Sequence, residues 1–71
     1  MMRTPESFAA IRKQVIFFTG LHNKSVWIVP TEKEYVLSVI KPRPDELPAH
    51  TTANLYDING EIIDAVHSSN K

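Results

Sequence analysis

The 71-residue sequence contains no cysteine, no apolar run longer than four residues and only two glycines. Without cysteine, neither a disulfide bond nor a thiolate-bound metal can stabilise the fold. The apolar runs are far shorter than the roughly 20 residues that a membrane-spanning helix needs, and residues 1–7 carry no apolar signal region. The sequence therefore predicts neither export nor membrane insertion, and the absence of cysteine favours a cytoplasmic location.

The sequence also lacks an excess of charge of either sign. Eight lysines and arginines balance eight aspartates and glutamates, and both kinds are scattered along the chain. A surface that binds nucleic-acid phosphates usually carries a clear basic excess. Gly20 and Gly60 lie far apart, so no glycine-rich loop is present to bind a phosphate. These absences lower the expectation of nucleic-acid or nucleotide binding.

A chain of this length is expected to form one small α+β domain, spanning residues 1–67, with residues 68–71 as a polar tail that frays. Such a small domain buries only about 60% of the surface that its unfolded chain exposes. Its stability therefore depends on nearly every apolar residue, or on a partner molecule.

The N-terminal part of the chain predicts a helix that begins at Pro5. Threonine at position 4 can accept hydrogen bonds from the free N–H groups of a first turn, and proline fits the first helical position. Glu6 complements the positive end of the helix dipole. Apolar residues then recur at the spacing of one helical face. They are Phe8, Ile11, Val15 and Phe18.

The end of this helix is open to two interpretations. Gly20 suits a left-handed cap, which predicts a helix over residues 5–19. The alternative is a short helix over residues 5–13 followed by an extra strand over 14–19, because the latter segment is rich in β-branched and aromatic residues.

Two strand pairs are predicted after the helix. Residues 24–29 and 34–40 form the first hairpin, and residues 51–58 and 61–66 form the second. Between them, residues 41–48 contain three prolines, which remove backbone donors and favour extended backbone. The predicted fold is therefore α+β, with one N-terminal helix packed on a four-stranded antiparallel meander of two hairpins.

The pair Asn59-Gly60 is the strongest local signal in the chain. An Asn-Gly pair between two β-prone runs is typical of a two-residue hairpin turn, which requires left-handed backbone at both positions. Such a turn places Leu55 opposite Asp64 and Tyr56 opposite Ile63, and so fixes the predicted register of the second hairpin.

Apolar residues are predicted on both faces of the sheet. In the first hairpin, five residues are expected to share the main core face: Trp27, Val29, Tyr35, Leu37 and Val39. In the second hairpin, both faces carry apolar side chains. A single helix covers only one face of a sheet, so the other face is expected to pack against a partner.

The sequence predicts no catalytic or metal-binding residue. Asp57 and Asp64 fall on one face of the second hairpin, and we interpret them as solvated residues that discourage pairing with another sheet. His22, His50 and His67 lack the short spacings of a metal site. We therefore expect no metal, no cofactor and no enzymatic activity.

The excess of apolar surface predicts a protein-interaction module. On a helix over residues 5–19, Phe17 lies nearly opposite the buried stripe and Ile16 lies at its edge. The candidate interaction surface comprises Ile16, Phe17, Tyr56, Ile58, Ile63 and Arg43. We expect a small non-enzymatic module that forms a homodimer, or another homo-oligomer, or binds another protein, as a regulator or inhibitor of that protein would.

An alternative function is binding of single-stranded nucleic acid. In that case Trp27, Tyr35 and Tyr56 would stack on bases from the surface of the sheet. The balanced net charge makes this function less expected than protein binding.

Overall fold

The computed structural model describes residues 4–71 and has one helix followed by a four-stranded antiparallel sheet. The predicted fold class, a single α+β domain with an N-terminal helix on an antiparallel sheet, is confirmed. The elements in chain order are α1 (Pro5–His22), β1 (Val26–Pro30), β2 (Tyr35–Ser38), a 3-10 turn (Pro44–Glu46), β3 (Thr52–Tyr56) and β4 (Ile62–His67).

Helix α1 begins at the predicted residue. The Thr4 hydroxyl oxygen accepts a hydrogen bond from the Ser7 N–H at 3.0 Å, and the Ser7 hydroxyl oxygen accepts one from the Thr4 N–H at 2.8 Å. This reciprocal pair satisfies two N–H groups at the start of the helix, where no carbonyl is in reach.

The predicted end of α1 at residue 19 is wrong, and so is the alternative strand over residues 14–19. Gly20 lies inside the helix, which continues to His22 and ends in a left-handed Asn23 with φ of 51°. Asparagine tolerates this conformation better than most residues, so glycine is not required for the cap. Val15 and Thr19 are fully buried on the inner side of α1, and this packing outweighs the β propensity of their segment.

The strand order is β2-β1-β3-β4, so the predicted meander order is wrong. Strand β1 is central and pairs antiparallel with both β2 and β3. The connection between β2 and β3, residues 39–51, is long enough to pass across β1, whereas a meander needs only a short turn between neighbouring strands. We call these residues the crossover loop.

The predicted core face of the first hairpin mixes residues from both sides of the sheet. Ile28 lies opposite Leu37, and Val29 lies opposite Val36. Because directly opposed residues share a face, Val29 points away from the face that carries Leu37. The reason is the polar turn over residues 31–34, which closes with a 2.7 Å hydrogen bond from the Thr31 N–H to the Glu34 carbonyl and sets this register.

The core consists of two clusters, one on each side of the sheet. On the helix side, buried Val15 of α1 packs with buried residues of β1 and β3, which are Val26, Ile28 and Tyr56. On the other side, Leu47 of the crossover loop, only 1% exposed, packs with Trp27, Ala53 and Val66. The expectation that the second sheet face needs a partner is therefore wrong, since the crossover loop covers it.

The C-terminal residues hold the crossover loop in place. The Asn70 side-chain amide donates hydrogen bonds to the carbonyls of Asp45 at 3.0 Å and Leu47 at 2.7 Å. The Ser69 N–H donates to the Pro44 carbonyl at 3.0 Å. Residues 68–71 were expected to fray. The sequence gives no sign of these hydrogen bonds, because they join residues that are distant along the chain.

The turn between β3 and β4 differs from the predicted two-residue turn. The Gly60 N–H donates to the Asp57 carbonyl at 2.9 Å, which makes Ile58 and Asn59 the central residues of the turn. Gly60 has the only left-handed backbone in this turn, with φ of 80°. The Asp57 carboxylate stabilises the arrangement, because its Oδ1 accepts the N–H groups of Asn59 and Glu61, both at 2.9 Å.

The changed turn shifts the register by one residue. Leu55 lies opposite Asp64, as predicted, but Tyr56 lies opposite Ile62 and not Ile63. The irregularity lies between Leu55 and Tyr56 in the pairing of β3 with β4. One extra residue on β4 is the pattern of a β-bulge. It accommodates a connection of three residues, 58–60, because the Asp57 N–H donates to the Glu61 carbonyl at 2.9 Å.

Candidate interaction surface

The structure exposes most of the residues predicted to form an interaction surface. Ile16 is 57% exposed and Phe17 is 73% exposed on the outer side of α1, while Ile58 and Ile63 are about half exposed at the β3–β4 hairpin. Arg43 is also exposed, in the crossover loop. Tyr56, in contrast, is 3% exposed and lies in the helix-side core, so its placement on a surface is wrong. Tyr56 lies opposite buried Val26 on the neighbouring strand β1, and α1 covers both residues.

Three exposed apolar side chains and one glycine form a patch on the outer side of α1. They are Ile16, Phe17, Gly20 and Leu21, which we call the α1 patch. Residues at these spacings neighbour one another on the surface of a helix. Leu21 is 66% exposed and is absent from the sequence prediction, because that prediction ended the helix before it. A helix extended to the Asn23 cap would have revealed it.

The α1 patch is continuous with the β3–β4 turn. A Cβ atom placed on Gly60 would lie 3.7 Å from the Ile16 Cγ1 atom, which is an ordinary van der Waals distance. Exposed Ile58 belongs to the same turn. Ile16 therefore lies against the β3–β4 turn, and the α1 patch reaches this end of the sheet.

Strand β4 adds a second exposed apolar region. Helix α1 packs over β1 and β2. Strand β4 lies at the opposite edge of the sheet, beyond β3. Ile62 and Ile63 are consequently more than half exposed, and Ala65 is exposed as well. The apolar surplus expected from the sequence is present. It lies on α1 and on the part of the helix-side sheet face, at β4, that α1 does not cover.

The free backbone edge of β4 is partly blocked by Asp64. The Ser68 N–H donates to the Thr51 carbonyl at 2.9 Å, so these two opposed residues form a hydrogen-bonded pair. Hydrogen-bonded and non-hydrogen-bonded pairs alternate along an antiparallel ladder, and three residues back Ala65 belongs to a non-hydrogen-bonded pair. Its N–H therefore points away from β3. This outward N–H donates to the Asp64 Oδ1 at 2.8 Å. The Lys41 Nζ lies 3.7 Å from the other carboxylate oxygen. An incoming strand would have to displace Asp64 to pair with the centre of β4.

The polar residues considered for chemistry have structural partners. The Asp57 carboxylate binds the backbone of its own turn, and Asp64 binds Ala65 and Lys41. The structure adds one contact that sequence reasoning missed, a 2.9 Å hydrogen bond between Thr52 Oγ1 and His67 Nδ1 across β3 and β4. Within residues 4–71, no group of three or more acidic or histidine side chains is arranged to hold a metal ion.

Comparisons with known proteins add no functional information. A scan against protein-family models found no match, and searches of curated proteins and of solved structures found no significant match. Among residues 4–71, no helix is both long enough and apolar enough to cross a membrane. A functional proposal for this protein therefore rests on the geometry of its surface.

Proposed function

We propose that this protein is a small, non-enzymatic interaction module that self-associates through the α1 patch. The observation that carries the proposal is the 73% exposure of Phe17 beside Ile16 and Leu21 on a helix whose opposite side is already packed. Single exposed apolar residues are normal on a soluble protein, whereas contiguous ones mark interaction sites. A cytoplasmic location stays a prediction from the composition.

Gly20 supports a close contact at this patch. Nothing lies within 4 Å of the position that a Cβ atom of Gly20 would occupy, so the fold itself has no need for a glycine there. A glycine inside a helix costs about 0.5–1 kcal/mol of stability relative to alanine. In the patch, it leaves the helix backbone open to close approach by an apolar side chain of a partner.

The patch also fits a second copy of the same chain. A two-fold symmetric contact requires one surface to be complementary to itself. The α1 patch offers both the large side chains, Phe17 and Leu21, and the open backbone at Gly20. Two copies related by a two-fold axis can therefore place the large side chains of each against the glycine of the other. Strand pairing through β4 is the less favourable route, because Asp64 occupies the Ala65 N–H.

The nucleic-acid alternative has less support from the structure. Trp27 and Tyr56 are 4% and 3% exposed, so two of its three expected stacking residues lie in the core. Tyr35 is half-buried and packs edge-on against Phe8, with ring centroids 5.2 Å apart. We therefore do not propose this function.

Size-exclusion chromatography with light scattering, carried out over a range of protein concentrations, tests the proposal. We expect the average mass of the unmodified protein to rise with concentration and that of Phe17→Lys to stay at the monomer value. Ile40→Lys is the matched control, since Ile40 is 75% exposed but lies beyond β2, away from the α1 patch. A strictly monomeric unmodified protein at the highest concentration would show that the self-association is wrong.

A further inference from the structure

A groove on the loop side of the sheet lies between the β1–β2 turn, residues 31–34, and the crossover loop. Its volume is about 780 Å³. This value falls within the range of about 300–1,000 Å³ that is typical of ligand sites in proteins. Val29, Pro48 and Ala49 contribute apolar surface to its lining. We call this concavity the loop groove.

Local hydrogen bonds fix both walls of the loop groove. On the turn, the Thr31 Oγ1 accepts the N–H groups of Lys33 at 3.3 Å and Glu34 at 3.0 Å. On the crossover loop, Asn70 holds the carbonyls of Asp45 and Leu47. Walls that are already ordered lower the entropic cost of binding a ligand.

The loop groove carries an excess of negative charge. Four carboxylates line it, those of Glu32, Glu34, Asp45 and Glu46, together with a single ammonium group, that of Lys33. Arg43 partly neutralises one wall, because its Nε lies 2.9 Å from Glu46 Oε1 and 3.5 Å from Asp45 Oδ1. Among the described residues, Glu32 and Glu34 have no ion-pair partner within 4.0 Å. With Lys33 on the same turn, the opposite wall keeps a net charge of −1 toward a ligand, from two carboxylates and one ammonium group.

We propose that the loop groove binds a peptide segment of another protein in which basic side chains alternate with apolar ones. The carboxylates on both walls attract the basic side chains, and the surface of Val29, Pro48 and Ala49 accepts an apolar side chain between them. A small polyamine would satisfy the charge but would leave this apolar surface uncovered. This inference goes beyond self-association, because it concerns a different partner and the opposite side of the sheet.

Two synthetic peptides test the proposal with the ¹⁵N-labelled full chain. One alternates arginine with leucine, and the other has glutamate in place of each arginine. We expect the basic peptide at millimolar concentration to shift the backbone amide resonances of residues 31–34, 45–47 and 49 in a saturable manner, and the shifts to weaken as salt is added. The acidic peptide should leave these resonances unchanged. Shifts confined to other parts of the chain, or no shifts at all, would overturn the proposal.

Charge-reversal variants separate recognition by the groove from general attraction to a cation. Glu32→Lys with Asp45→Lys reverses one charge on each wall and should weaken peptide binding by about tenfold or more. The matched control is Glu6→Lys with Glu61→Lys, which changes the net charge equally at exposed residues outside the groove. Equal weakening in both variants, or equal groove shifts with spermidine alone, would contradict peptide recognition. Either failure leaves self-association untouched, since Phe17 is not part of the groove.

Discussion

Replacing each glycine with alanine should change stability in opposite directions. Gly20 lies inside α1 and, apart from its own stretch of helix, no part of the fold comes within 4 Å of the position that an alanine Cβ would take, whereas Gly60 has a left-handed backbone with φ of 80°. An alanine at position 20 therefore loses less backbone entropy on folding and meets no steric obstacle. An alanine at position 60 also has space, since Ile16 lies at 3.7 Å, but its backbone conformation is unfavourable.

The expected magnitudes follow from these two environments. Gly20→Ala should raise the free energy of unfolding by about 0.5–1 kcal/mol, the usual difference between glycine and alanine in an exposed helix interior. Gly60→Ala should lower it by about 1–2 kcal/mol, the cost of a left-handed alanine. In a domain of this size, a change of 1 kcal/mol moves the melting temperature by about 4–8 °C.

Thermal unfolding followed by far-ultraviolet circular dichroism measures both changes, at a concentration where the protein is monomeric. The dilute condition matters because association stabilises the folded state by mass action. Trp27 is the only tryptophan and is buried on the loop side, so its fluorescence reports independently on that half of the core. Shifts of the same sign for Gly20→Ala and Gly60→Ala would refute this account of the two backbone positions.

Three further substitutions, two of them paired with a control substitution, test the loop-side core, the helix start and the β4 edge. Leu47→Ala should lower the free energy of unfolding by about 2–5 kcal/mol, measured by urea titration, because it opens a cavity at a residue that is 1% exposed. Exposed Ile40→Ala should change it by less than about 0.5 kcal/mol. Thr4→Ala removes one half of the reciprocal cap and should cost about 1 kcal/mol, seen as a lower melting temperature. Asp64→Ala frees the Ala65 N–H and should produce concentration-dependent β assembly, detected by thioflavin T, whereas Lys41→Ala should not.

Several features that depend on neighbouring residues were predicted from the sequence, although the two-residue turn at Asn59-Gly60 was not. The start of α1 at Pro5 and the predicted hairpins follow from capping chemistry and strand propensity, which act within a few residues. The exposure of Phe17 follows from helical periodicity once the helix is placed. The end of α1 failed for a local reason as well, since two residues, Gly20 and Asn23, can both adopt a left-handed cap and only one does.

Features that depend on distant residues were not predictable in the same way. The covering of the second sheet face rests on Leu47, whose position is held by Ser68 and Asn70 more than 20 residues away. No local pattern marks such a contact. The strand order also depends on contacts between distant residues. Leu47 reaches Trp27 because the crossover loop passes over β1. The loop groove exists only after this crossing, so no local sequence pattern reveals the cavity.

The two proposed binding surfaces are compatible with each other. The α1 patch belongs to the helix side of the sheet and the loop groove to the loop side, so a dimer formed through α1 leaves both grooves open. Two linked grooves bind a partner with repeated basic segments more tightly than one groove does, by about 100- to 10,000-fold when both engage at once. Phe17→Lys should therefore remove this gain for a two-segment peptide while leaving the affinity for the single-segment peptide unchanged. Titration of both peptides by calorimetry measures the difference, and an unchanged affinity of Phe17→Lys for the two-segment peptide would show that the grooves act separately.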